Sequence, residues 1–223
     1  MQRIIDLTFP SCGDPSHRID VIRSTIALHS PGTAYTGVVY ELQASSMAGT
    51  YLDLPGHILE TDDGVDIATY PLDRLYRRRA VVIRLHRTSE SGPVTGAELQ
   101  AACPVKIFPG DALIINALGT LRWDEIAGRS VYLSADAVEW IIASGIDLLF
   151  SDIYESRRLD GVFLALFRAG IATLCAPANL HELTAPEVKL TLLPLPVRGV
   201  TQIPCRVVAE LEEKNPSATG NQS

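Results

Sequence analysis

Four runs, A-V-V-I-R-L at 80–85, A-L-I-I-N-A at 112–117, D-L-L-F-S at 147–151 and I-A-T-L-C-A at 171–176, are apolar at nearly every position. A strand with one wet face alternates polar and apolar residues. A continuous apolar run has no wet face, so these segments predict strands buried on both sides, as in a parallel sheet covered by helices. R-I-I-D-L-T-F at 3–9, G-V-V-Y-E-L-Q-A at 37–44 and C-R-V-V-A-E-L at 205–211 add further strands. Helices are predicted between them. One starts at Thr95 and is stopped by Pro104, one starts at an N-cap Ser134 and stops at Gly145, and a third covers 159–169 and ends at Gly170. Strand and helix then alternate over 130–176, which predicts two β-α-β units in succession. Residues 10–36 hold Pro10, Gly13, Pro15, Pro31 and Gly32 without a clear period, and are expected to form extended structure and loop over one side of the site. Residues 1–212 are expected to form one α/β domain, and the polar segment 213–223 a disordered tail.

The 223 residues suffice for one well-buried core, and 47% hydrophobic with 20% charged residues is the balance of a soluble globular protein. No apolar run approaches the roughly 20 residues of a spanning helix, so no membrane partner is expected. The opening M-Q-R-I-I-D-L-T-F-P has the look of a first strand rather than a secretory signal, which makes a cytoplasmic location the expectation. A formal charge of -7 argues against nucleic acid as a partner. Cys12, Cys103, Cys175 and Cys205 lack finger or redox spacing and are expected to be buried apolar groups. Arg74, Arg77, Arg78 and Arg79 are expected to be a solvated approach to the next strand rather than an anion site.

The chemistry concentrates in S-M-A-G-T-Y-L-D-L-P-G-H, residues 46–57. In an extended backbone residues 51, 53, 55 and 57 share a face, so Tyr51, Asp53 and His57 are expected to converge, with Pro55 restraining the loop and Gly56 freeing it. Such a cluster is either a site of acid-base chemistry or a hydrogen-bonded structural turn. His17, His29 and His86 are expected at loops or the surface. Asp152 and Tyr154 close a predicted strand, where parallel sheets place ligands, and His181 follows the strand that carries Cys175.

This loop resembles the signature H-x-G-T-H-x-D-x-P-x-H of the cyclase family, which includes bacterial kynurenine formamidase and isatin hydrolase. Other segments match in order: I-I-D-L-T, F-P-G-D-A-L-I-I-N at 108–116, Y-L-S-A-D-A-V-E-W-I-I-A-S-G-I-D-L-L-F-S-D at 132–152, and A-N-L-H-E-L with L-L-P-L-P-V within 178–197. The resemblance covers nearly the whole chain. It implies a single-domain swivelling β/α/β fold of the α/β class, with a mixed sheet and flanking helices, assembled as a homodimer or homotetramer. It also implies hydrolysis of an amide, lactam or lactone, with zinc or manganese activating water.

By that resemblance Asp53 matches the aspartate ligand and His57 the proton shuttle. Met47 and Tyr51 stand where the signature has histidines, and Phe163 and Cys175 align with a further histidine and glutamate. A catalytic zinc keeps about three protein ligands; only Asp53 survives, with Cys175 and His57 as the rescue set. The expectation is therefore a pocket without metal or other cofactor, in which His57, Asp53 and Tyr51 are catalytic and Met47, Thr50, Cys175, Phe163, Asp152, Tyr154 and His181 line the substrate. Three functions stay open: a hydrolase with an unusual metal site, a metal-independent acid-base enzyme acting on a carbonyl compound, and a non-catalytic binding or structural member.

Overall fold

A computed structural model describes residues 2–10, 19–126 and 129–212. Cys12, His17 and the segment 213–223 lie outside the described residues. The strands are β1 (Gln2–Asp6), β2 (Ile19–Ser30), β3 (Thr33–Ala44), β4 (Tyr51–Asp53), β5 (Arg78–Arg84), β6 (Gly92–Val94), β7 (Ala112–Asn116), β8 (Val131–Leu133), β9 (Leu148–Ser151), β10 (Ala172–Cys175), β11 (Glu187–Leu192), β12 (Gln202–Pro204) and β13 (Val207–Glu212). The helices are α1 (Gly96–Ala102), α2 (Ala135–Ala143) and α3 (Val162–Arg168).

Nine strands make one mixed sheet in the order β1-β13-β11-β5-β7-β9-β10-β4-β12. Its centre, β5, β7, β9 and β10, is parallel and is built from the four apolar runs. Alternate residues of those strands feed two separate cores. Ala80, Val82, Ile114 and Phe150 belong to one, and Val81, Ile83, Leu113, Ile115 and Leu149 to the other. Burial on both faces is what a run without alternation requires.

The first two helix starts are placed as expected, with different bonding at one of them, whereas the third helix begins at Val162 rather than 159, after Gly161 in the left-handed region. Thr95 caps α1 by accepting the Glu98 N–H at 3.2 Å, whereas the Ser134 hydroxyl donates to the Val94 carbonyl, at 2.8 Å, and to Asp136 instead of capping α2. Only the second predicted β-α-β unit is a crossover within the main sheet, β9-α3-β10. The strand before α2 is β8, which pairs with β6 in a small separate sheet. Of the four arginines, Arg74 and Arg77 are exposed as expected, but Arg78 and Arg79 are not a solvated approach. Arg78 is 7% exposed and pairs with Asp147, Arg79 bridges Asp111 and Glu187, and Arg77 meets Glu210 at 2.9 Å.

Within the segment 10–36, residues 19–30 are extended, as expected, but as one regular strand rather than as strand broken by loop. Within them β2 runs the full length of β3, from Ile19↔Ala44 to Ser30↔Thr33. This hairpin packs on itself, and no other element makes more than marginal contact with it among the described residues. Proline and glycine had suggested loop because they cluster at the ends of the segment; the interior 19–30 is free of both. No described helix is long and apolar enough to cross a membrane.

Candidate active site

Strand β4 carries the loop's chemistry because of where it sits in the sheet. It pairs antiparallel with β10 on one side and with β12 on the other, so two rows cross three strands: Cys175–Tyr51–Pro204 and Thr173–Asp53–Gln202. Directly opposed residues project to the same face, which brings together groups far apart in sequence. Between the two rows, Leu52 and Leu174 are fully buried in the core.

The extended face expected to run on to His57 ends at Asp53. Leu54 donates its N–H to the Thr201 carbonyl at 2.8 Å, and Pro55–His57 form a 3-10 turn. A Cβ on Gly56 would sit 2.8 Å from Thr201 Cγ2 and 2.9 Å from Asp62 Oδ1, so glycine is used there for close approach rather than for a left-handed backbone. The turn carries His57 out to an exposed position. Its ring lies edge-on to Phe167, 6.5 Å between centroids, with Nε2 3.3 Å from Gln202 Nε2. Asp53 and His57 form no direct hydrogen bond; the Gln202 amide is the imidazole's hydrogen-bonding partner.

Asp53 is 3% exposed. Its Oδ2 accepts from the Cys175 thiol at 3.6 Å, while the buried Oδ1 has no hydrogen-bond partner. Burial pushes the carboxyl up to about 6, against the downward pull of Gln202, the His57 ring, Cys175 and Thr173. Burial, reinforced by the Cys175 thiol and the Asp53 carboxyl, carries the Tyr51 phenol far above its ordinary range. Burial and Asp53 likewise raise the Cys175 thiol well above normal. Both groups stay protonated at neutral pH, so Cys175 lacks the thiolate a cysteine nucleophile needs.

Tyr51 and Cys175 open onto a cavity of about 220 Å³ whose wall includes Ser151, Asp152, Tyr154 and Phe163. The Tyr154 and Phe163 rings stack at 4.9 Å, and the Tyr154 hydroxyl, 2.7 Å from the Leu174 carbonyl and 3.0 Å from that of Leu149, is spent on the backbone. Asp53 lies behind Tyr51 and Cys175 rather than on the cavity wall, and His57 is not on that wall either.

The remaining expected pocket residues divide. Asp152 accepts the Ala117 and Leu118 N–H groups at 2.9 and 3.0 Å, yet burial pushes its carboxyl up to about 7. It is shared with a second cavity, also about 220 Å³, and that cavity is the one His181 lines. Thr50 is a buried clamp, accepting the Phe9 N–H at 2.7 Å and donating to the Ala176 carbonyl at 2.6 Å, and Met47 is exposed; neither lines the cavity. Gln202, Ser46 and Thr173 escaped the sequence reading. Thr173 is a polar residue inside an otherwise apolar run, Ser46 opens the quoted loop and Gln202 follows Thr201, and none of these settings says what the side chain will face.

Among the described residues no three His, Cys, Asp or Glu side chains converge to hold an ion. Asp53 and Cys175 are in contact, but His57 turns Nε2 to the Gln202 amide. A carboxylate and one thiol are two donors, fewer than the about three that a zinc or manganese site takes from the protein, so the residues present do not fit such a site.

The geometry has relatives. A family model named Cyclase matches residues 5–156. Isatin hydrolase A from Labrenzia aggregata, in a structure bound to benzyl benzoate, is similar at 20% identity over 95% of this chain and 94% of its own, with a TM-score of 0.73. Isatin hydrolase A from Ralstonia solanacearum gives 20% identity over 95% and 92%, with the same TM-score of 0.73. A protein from Bacillus stearothermophilus, titled a predicted metal-dependent hydrolase, gives 18% identity over 94% and 98%, with a TM-score of 0.70. At these identities the likeness to the solved structures is one of fold.

Proposed function

Because the chain belongs to the cyclase family, we propose that it is a small-molecule enzyme of the hydrolase and cyclase type, acting on an amide, lactam or lactone carbonyl without a metal. The observation that carries this reading is a neutral donor, Tyr51 O–H, beside a Cys175 thiol that is bonded to Asp53, both opening onto an aromatic-walled cavity. The Tyr154–Phe163 stack suits the flat face of a planar substrate, and the Tyr51 hydroxyl is the donor for a carbonyl oxygen that gains charge. Asp53, held near 6, exchanges a proton close to neutral pH. His57 stands at the solvent side, where protons enter and leave. The names of the similar isatin hydrolases support a cyclic amide as the first substrate to try.

Turnover on a panel of amides, lactams and lactones tests the reading, with and without chelator. The expected result is activity that chelator leaves unchanged and that Tyr51→Phe or Asp53→Asn lowers by about 10²-fold or more. Activity that depends on added zinc or manganese overturns the metal-free part, and binding without turnover overturns the enzyme.

The assembly belongs to the same proposal: a homodimer or homotetramer in which the β2–β3 hairpin lies on a second copy. Its two strands of 12 residues each match the roughly 20–30 residues a side of a standard interface. Val21, Ile22, Ile26, Tyr35 and Leu42 stand exposed on it, more apolar surface than an isolated hairpin holds in water.

A further inference from the structure

Gln202 is 6% exposed and lies directly opposite Asp53 across the β4–β12 pair. Three groups meet its amide. The Ser46 hydroxyl donates to Oε1, Asp53 shares its face, and His57 Nε2 is 3.3 Å from its Nε2. A hydroxyl serves an amide either as donor or as acceptor, so Ser46 alone does not orient it. The carboxylate does: a carboxylate accepts hydrogen bonds and repels an amide oxygen, so the NH₂ end belongs on the Asp53 side. The lowering of the Asp53 pKa by this amide agrees in sign.

An amide nitrogen donates and does not accept. A ring nitrogen within reach of it must therefore offer its lone pair, which places the ring proton of neutral His57 on Nδ1. We propose that Gln202 is a positioning residue that fixes His57 as the Nδ1–H tautomer, with Nε2 held by the amide. The inference rests on the reading of His57 as a proton-exchanging group and refines it. The only lone pair of the neutral ring is engaged by Gln202, so the ring presents N–H at its free nitrogen. His57 then faces a substrate or an ordered water as a hydrogen-bond donor, and takes up a proton at Nε2 only when the Gln202 amide releases that nitrogen.

The test needs no substrate. The full chain is labelled with ¹⁵N-histidine and the ring nitrogens are read by long-range ¹H–¹⁵N correlation, well above the pKa of about 6.5 of a free imidazole. His57 is assigned by loss of its signals in His57→Gln. The wild type is expected to show His57 with an unprotonated Nε2. Gln202→Leu is expected to shift the dominant proton to Nε2, the form a free neutral imidazole prefers, and Gln202→Glu to do so more completely because its carboxylate accepts. A Gln202 that only fills space moves neither tautomer. Nε2–H in the wild type overturns the inference, and so does an unchanged tautomer in both variants. Should the variants fail to fold, the wild-type spectrum decides alone. The tautomer is independent of turnover, so an inactive protein with the expected spectrum removes the enzyme reading and keeps this one.

Discussion

Leu42 and Leu52 lie ten positions apart on consecutive strands, yet Leu42 is 66% exposed and Leu52 is fully buried. The first belongs to the β2–β3 hairpin, whose strands pair only with each other among the described residues. The second belongs to β4, which has a strand on either side and the core beneath it. Strand-forming residues alone therefore do not make a core. What differs is a second layer, present under β4 and, among the described residues, absent under the hairpin. The site belongs to the region that has both: the sheet holds Tyr51, Asp53, Cys175 and Gln202 in rows fixed by register, while among the described residues no element covers the hairpin.

The largest expected effect breaks the hairpin away. Replacing residues 20–43 with a short glycine-containing turn is expected to convert the proposed oligomer to monomers while the nine-stranded sheet stays folded, as read by sedimentation velocity and circular dichroism. A paired change, Val21→Asp with Leu42→Asp, which places two charges on one face at opposed positions, should weaken association by about 10²-fold or more, roughly 2.7 kcal/mol. A wild type that is monomeric at high concentration would end the proposed assembly.

The same substitution in the two regions sharpens the contrast. Leu52→Ala is expected to cost about 2–5 kcal/mol in urea unfolding, because a buried leucine leaves a cavity. Leu42→Ala, measured on the monomer, should cost within about 0.5 kcal/mol. Equal costs would mean that the hairpin has a core after all.

A smaller effect probes the site's far wall. Asp152→Asn retains one acceptor and faces one backbone N–H with its own amide donor, a loss of about 1–3 kcal/mol. The pH dependence has a definite sign. The folded carboxyl titrates near 7 and its ordinary value is 3.8, so the folded chain binds that proton more tightly than the unfolded one. Its stabilising contribution is full below about 4 and is lost as pH rises through about 7. Unfolding free energies from pH 4 to 8 should therefore fall with a slope that Asp152→Asn flattens. A slope identical in both proteins would show that the two N–H groups hold Asp152 ionised throughout.

What the sequence determined by itself was everything set by local pattern. The continuous apolar runs became the parallel centre of the sheet, Thr95, Gly145 and Gly170 marked helix ends, and the ordered segments of the cyclase resemblance matched the fold. Within the site, alternation correctly put Tyr51 and Asp53 on one face, and Cys175, Tyr154 and Phe163 reached the cavity. What the tertiary structure decided was which of these groups meet. Gln202 faces Asp53 because β12 and Asp53's strand share a register that no local window contains, and Thr50 became a clamp because Phe9 and Ala176 fold onto it. The turn at Pro55 took His57 off the strand face where alternation had placed it, and β2 paired with β3 although its mixed faces carry no clean period. Periodicity reports how a residue is buried by its own element. Register and layering are non-local, and they choose its partners.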